Sequence, residues 1–177
     1  GENTMPLRIG NKTLAKTNTR TVTFYRGEDK IELTVGPMPP KYLERIREHV
    51  LTAPQPPRKA VETRPGSYLK VDGELVFATD ENDPAYTAAF TRYISLIVTA
   101  KLAAYLAHDP SVEFEAVRPT KIFSDAPTEW KAYLEALFLE INDETTGFTQ
   151  AEVNHILEQG DKTELCLTVN EATKTFL

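Results

Sequence analysis

The sequence predicts an α+β fold, with short antiparallel β-hairpins in the N-terminal part followed by a helical bundle around one long central helix. Three observations carry this. The segments on either side of Gly27 alternate polar and apolar residues, and Asp72-Gly73 supplies a second hairpin turn before residue 80. Residues 83 to 108 form one long apolar run with only Arg92 and Lys101 charged inside it. A second helical stripe, from about Ala126 to Ile141, places Trp130, Tyr133, Leu134, Leu137, Phe138 and Ile141 on one side.

The chain of 177 residues is long enough for one domain with a real core. Hydrophobic residues make up 41% and charged residues 26%, which places it among globular chains. A formal net charge of -6 argues against a nucleic-acid surface, which needs clustered Lys and Arg. Gly1 to Thr4 is read as a cloning remnant before a native start at Met5. No apolar run follows the first basic residues, so no secretory signal is expected. The most apolar part of the long run, Tyr93 to Ala107, is short of the roughly 20 residues of a membrane span. The single cysteine, Cys166, cannot form an internal disulfide. It is read as a small core residue, and the chain as a soluble protein of a reducing compartment.

In chain order, residues 1–19 are polar, lack periodicity and are expected to be a flexible basic arm, ahead of one domain over 20–177. A first hairpin is expected from Arg20 to Val35, turning at Gly27-Glu28-Asp29, with Val22 and Phe24 on one face. Gly36-Pro37-Met38-Pro39-Pro40 stops it, and a short helix from Pro40 to about Leu51 follows. Pro54, Pro56, Pro57 and Pro65 mark 52–66 as an extended linker. Asp72-Gly73 suits a type I′ turn in a second hairpin, Ser67 to Ala78, which completes the β-rich part at 79.

The bundle is expected over 80–177. Asp83 is the N-cap of the long helix and Pro84 its first residue. Residues 112–117 are expected to be extended. Thr149 and Glu152 form a capping box, with Phe148 and Val153 as a hydrophobic staple, and Gly160 is the expected stop of that helix. Beyond Thr163 both a strand and a helix fit the pattern, and a helix is favoured. The expected core is Phe90, Ile94, Ile97, Leu102, Trp130, Leu134, Leu137, Phe138, Val153 and Ile156.

No catalytic signature is found. His49, His108 and His155 lack other ligands at zinc-site spacing. No phosphate-cradling glycine loop and no nucleophile elbow occurs. Asp80-Glu81-Asn82-Asp83 reads as a helix cap rather than a Ca²⁺ site. The segment 142–153 fails as a Ca²⁺ loop, because with Gly147 at its sixth position the twelfth is Val153. No catalytic, cofactor or metal site is therefore expected.

Glu81-Asn82-Asp83-Pro84-Ala85-Tyr86 opening an Ala-rich helix, the Trp130 helix, Gly147-Phe148-Thr149-Gln150-Ala151-Glu152-Val153 and a last short helix form a pattern. It resembles the tail assembly chaperones and similar small tail-module proteins of long-tailed bacteriophages. The resemblance covers the helical two-thirds. It implies a non-enzymatic protein of the host cytoplasm that binds tape-measure and tail-tube proteins during assembly, with no membrane or nucleic-acid partner. A minor tail or connector protein retained in the virion is the alternative. A partner-binding or self-associating surface is expected at Leu165, Val169, Phe176 and Leu177, after the stop at Gly160.

Overall fold

The computed structural model describes residues 18–164 in full, together with the backbone of strands Arg8–Ile9 and Lys12–Thr13 and of the last helix as far as Thr175. The fold is α+β, with short antiparallel strand pairs in the N-terminal half and four helices among the described residues. The chain divides into two compact units.

One unit contains β1 (Arg8–Ile9), β2 (Lys12–Thr13), β3 (Arg20–Arg26), β4 (Asp29–Val35), residues Leu102–Glu113 and α4 (Gln150–Thr175). The segment expected to be a flexible arm thus holds the antiparallel pair β1–β2. β3 and β4 form the first expected hairpin, with Val22 directly opposite Leu33. Gly27 has φ 64 at the first position of its two-residue turn, which suits type II′ geometry. Val22, Leu33 and Val35 are buried, and both strands pack on α4.

The capping box is present. Thr149 Oγ1 accepts from Glu152 N at 3.2 Å, and Glu152 Oε1 accepts from Thr149 N at 2.8 Å. Glu152 also holds Arg26 bidentately, at 3.1 Å from Nε and 2.9 Å from Nη2. The same guanidinium lies 5.8 Å from the Phe24 ring centroid and 5.7 Å from that of Phe148. Burial pushes the Glu152 carboxyl up, but Arg26 and the Thr149 N–H outweigh it and hold it below the usual carboxylate range.

Gly160 does not end its helix. α4 runs through it, because its role is packing rather than termination. A Cβ there would lie 2.1 Å from Cδ2 of Tyr105. Tyr105 is fully buried, and its hydroxyl donates to Asp161 Oδ1 at 2.6 Å. Only glycine lets the helix backbone approach that ring. Val153, Ile156, Gly160 and Thr163 form the buried stripe of α4, and Thr163 Oγ1 donates to Gly160 O at 2.6 Å.

The segment leaving β4 is tied down group by group. Thr34 N donates to Asp109 Oδ2 at 2.7 Å, and Gly36 N to Tyr105 O at 3.2 Å. Met38 N donates to Glu164 Oε1, and His108 Nε2 to Pro37 O at 2.7 Å. These bonds satisfy backbone that has left its ladder.

The other unit holds Pro40–Lys101 and Phe114–Gly147. Its first helix, α1 (Tyr42–His49), is shorter than expected and buries Tyr42 and Ile46. α3 (Pro127–Ile141) buries Trp130, Leu134, Leu137 and Ile141 at helical spacing, with Pro at its start. Trp130 Nε1 donates to Lys121 O at 2.8 Å. The Phe123 ring lies between Trp130, at 4.6 Å, and Tyr42, at 5.6 Å. Burial pushes the Tyr42 hydroxyl up to about 12. Residues 112–117 are not a strand. Within them, Glu115 N and Ala116 N bond the Glu140 carboxylate instead of a neighbouring chain.

Candidate protein-binding surface

The candidate surface lies in this second unit and is built by residues 84–101 of α2 (Pro84–Leu106) and the strands before it. Asp83 caps α2 as expected, its Oδ2 accepting from Tyr86 N at 3.0 Å. The expected burial of the helix holds only for its second half. Ile97 and Leu102 are core residues, but Phe90 and Ile94 are each 42% exposed. From Pro84 to Ile94 only Tyr86 and Tyr93 are even half-buried.

This correction has a compositional cause. Positions 85, 87, 88, 89 and 91 are Ala or Thr, whose side chains are too short to reach far into a core. The bulky residues Leu96, Ile97, Leu102, Tyr105 and Leu106 fall in the second half, which is buried. Tyr86, Phe90 and Tyr93 form a row of rings along the exposed half, with centroids 5.9 and 6.4 Å apart.

On the side of the helix away from this row, Ala88, Thr91, Arg92, Ser95 and Leu96 of α2 and Phe138 of α3 line an open groove of about 370 Å³. Phe138, expected in the core, is half-buried at this groove. Arg92 Nη2 lies 3.5 Å from Glu135 Oε1. Ser95 Oγ donates back to Thr91 O at 2.9 Å, and Thr87 Oγ1 to Asp83 O at 3.0 Å. Hydroxyls satisfied by their own helix backbone leave the surface less polar than its composition suggests.

The strands before α2 form three separate two-stranded antiparallel pairs over 58–79, together called the β-ladder below. β5 (Arg58–Ala60) pairs with β10 (Phe77–Thr79), β6 (Glu62–Arg64) with β7 (Ser67–Tyr68), and β8 (Lys70–Val71) with β9 (Glu74–Leu75). The expected linker over 52–66 therefore contains two strands. Pro54, Pro56 and Pro57 precede β5, and Pro65 starts a turn with Gly66, at φ 80, rather than an extended spacer. Asp72 and Gly73 have φ 53 and 80, as the expected type I′ turn requires. Lys59 anchors the ladder, 2.6 Å from Asp80 Oδ2 and 3.8 Å from Asp83 Oδ1. The hydrogen bond from Lys59 holds the Asp80 carboxyl below its ordinary range.

Tyr68, Leu69, Val71, Leu75 and Phe77 are all exposed, Val71 by 57% and Phe77 by 49%. Each of the three pairs therefore carries an exposed apolar side chain.

The expected surface at Leu165, Val169, Phe176 and Leu177 lies outside the described residues, apart from the helical backbone of α4 at the first two. Among the described residues no group of three or more His, Cys, Asp or Glu side chains is placed to hold a metal ion. Among them, too, no helix is long and apolar enough to cross a membrane. Sequence reasoning missed the exposed half of α2 and the ladder as surfaces. The signal for the first was the run of Ala and Thr, and for the second the lack of any core-sized apolar run between 52 and 66. No protein-family model, curated protein or solved structure matches the chain.

Proposed function

We propose that the protein is a non-enzymatic phage tail morphogenesis protein that binds tape-measure and tail-tube proteins during assembly in the host cytoplasm. One observation carries the reading: the first three turns of α2 are apolar yet exposed, with Phe90 and Ile94 on one side of the helix and an open groove against α3 on the other. An apolar helix face without cover suits the shielding of an apolar helical segment of another protein. The test is co-purification of the chain with a purified tape-measure fragment. Phe90→Ser with Ile94→Ser should abolish capture while leaving thermal unfolding nearly unchanged. Phe176→Ser with Leu177→Ser tests the C-terminal surface in the same assay. Full capture by both double variants would remove the basis for the chaperone reading.

The second reading is a minor tail or connector protein retained in the virion. It is favoured by the β-ladder, a strand-rich element with exposed apolar side chains that suits permanent burial in an assembly. Mass spectrometry of purified particles separates the two, because a chaperone is absent from the finished particle.

A further inference from the structure

The β-ladder over 58–79 carries a charge pattern distinct from the groove beside α2. Arg58, Arg64 and Lys70 are exposed cations, and Glu62, Asp72 and Glu74 are exposed anions. Among the described residues none of these six takes part in an ion pair, unlike Lys59 with Asp80. The register explains why. Arg58 lies opposite Thr79, Glu62 opposite Tyr68, Arg64 opposite Ser67, Lys70 opposite Leu75 and Glu74 opposite Val71. Each strand charge faces a neutral residue, so the ladder's charges have no cross-strand mate.

We infer that the ladder is a self-association element, covered by the same element of a second copy of this chain. The charge balance selects that occupant. A partner of one sign, such as nucleic acid or an anionic membrane, would set three like charges against itself. The chain as a whole carries -6, so two copies repel over most of their surfaces. In the ladder the unpaired charges cancel, and two copies related by a two-fold axis can match each cation to an anion of the mate. The same contact covers exposed apolar side chains of the strand pairs, Val71 and Phe77 foremost.

The experiment uses the full chain alone, so its outcome is independent of the tape-measure reading. Sedimentation equilibrium at about 100 μM should return twice the 19.9 kDa chain mass, falling back toward one chain in high salt. Two charge variants follow. Arg64→Glu with Lys70→Glu makes the ladder anionic, and Glu62→Lys with Glu74→Lys makes it cationic. Each should be monomeric alone, and an equal mixture should form a one-to-one complex. Thermal unfolding of each variant checks that it folds. Should either fail to fold, Phe77→Ser replaces it and should also be monomeric. A wild-type chain that stays at 19.9 kDa at that concentration overturns the inference and assigns the ladder to a different protein. So do charge variants that remain dimeric, or that do not combine when mixed.

Discussion

Replacing Gly160 by alanine tests how the first unit is packed. In an open helix this change gains about 1 kcal/mol, because glycine is the poorer helix former. Here the new Cβ would meet Cδ2 of Tyr105 at 2.1 Å and Cε2 at 2.4 Å. The ring has little room to retreat. It is fully buried, its hydroxyl is held by Asp161, and its carbonyl accepts from Gly36 N. Overpacking a fixed core costs roughly 1–3 kcal/mol, and the double restraint puts this site at the upper end. Net destabilisation should be about 2 kcal/mol, after the helical gain is subtracted. Urea unfolding should show a lower midpoint with an unchanged slope. In a Tyr105→Leu background the clash is relieved, and Gly160→Ala should become neutral or stabilising. If Gly160→Ala stabilises the wild-type protein, the close approach to Tyr105 is wrong.

Further outcomes follow from the same contacts. Thr149→Ala should cost about 1 kcal/mol, and Glu152→Ala about 2 kcal/mol, because Glu152 serves both the cap and Arg26. A double-mutant cycle should be non-additive, and strict additivity would count against the capping box. Asp109 is held below its ordinary range by the Ser111 hydroxyl and the Thr34 N–H, and Glu152 is also lowered. A depressed folded pKa adds stability above the unfolded value and loses it as pH falls through the folded one. Urea midpoints should therefore drop below about pH 4, less steeply in Asp109→Asn. Midpoints that rise on acidification would contradict this. Ile97→Asp should abolish soluble folded protein, whereas Ile94→Asp, three residues earlier, should shift unfolding little. Equal damage from the two would mean that the first half of α2 is buried.

Much of the fold is written in local chemistry, and those features were legible. The Asp83 cap, the Asp72-Gly73 turn, the Thr149–Glu152 box and the α3 stripe each depend on residues within a few positions of one another. A short sequence window holds all the information such a feature uses. Gly160 was misread for the converse reason. Glycine after a helical run is the usual stop, and only the distant Tyr105 ring turns it into a packing site. The second role of Glu152 depends on Arg26, 126 positions away in the chain. Nothing in the capping-box spacing points to that partner.

The surface was harder to read than the fold, because apolar sequence does not distinguish a core from an interface. The same hydrophobic gain drives burial against the chain's own elements and against another molecule's. Phe90 and Ile94 follow the helical spacing of a core face, and only the fold shows that each is left 42% exposed. Length of side chain was the clue that separated the halves of α2. Ala and Thr at 85–91 let a helix lie close to something, but they do not fill a core by themselves. In the ladder the clue was electrostatic. The Asp72-Gly73 turn signalled only one of the three pairs, and the unmatched charges opposite neutral residues emerged only with the register. Charges that find no mate across their own strand pair are the opening that the self-association proposal uses.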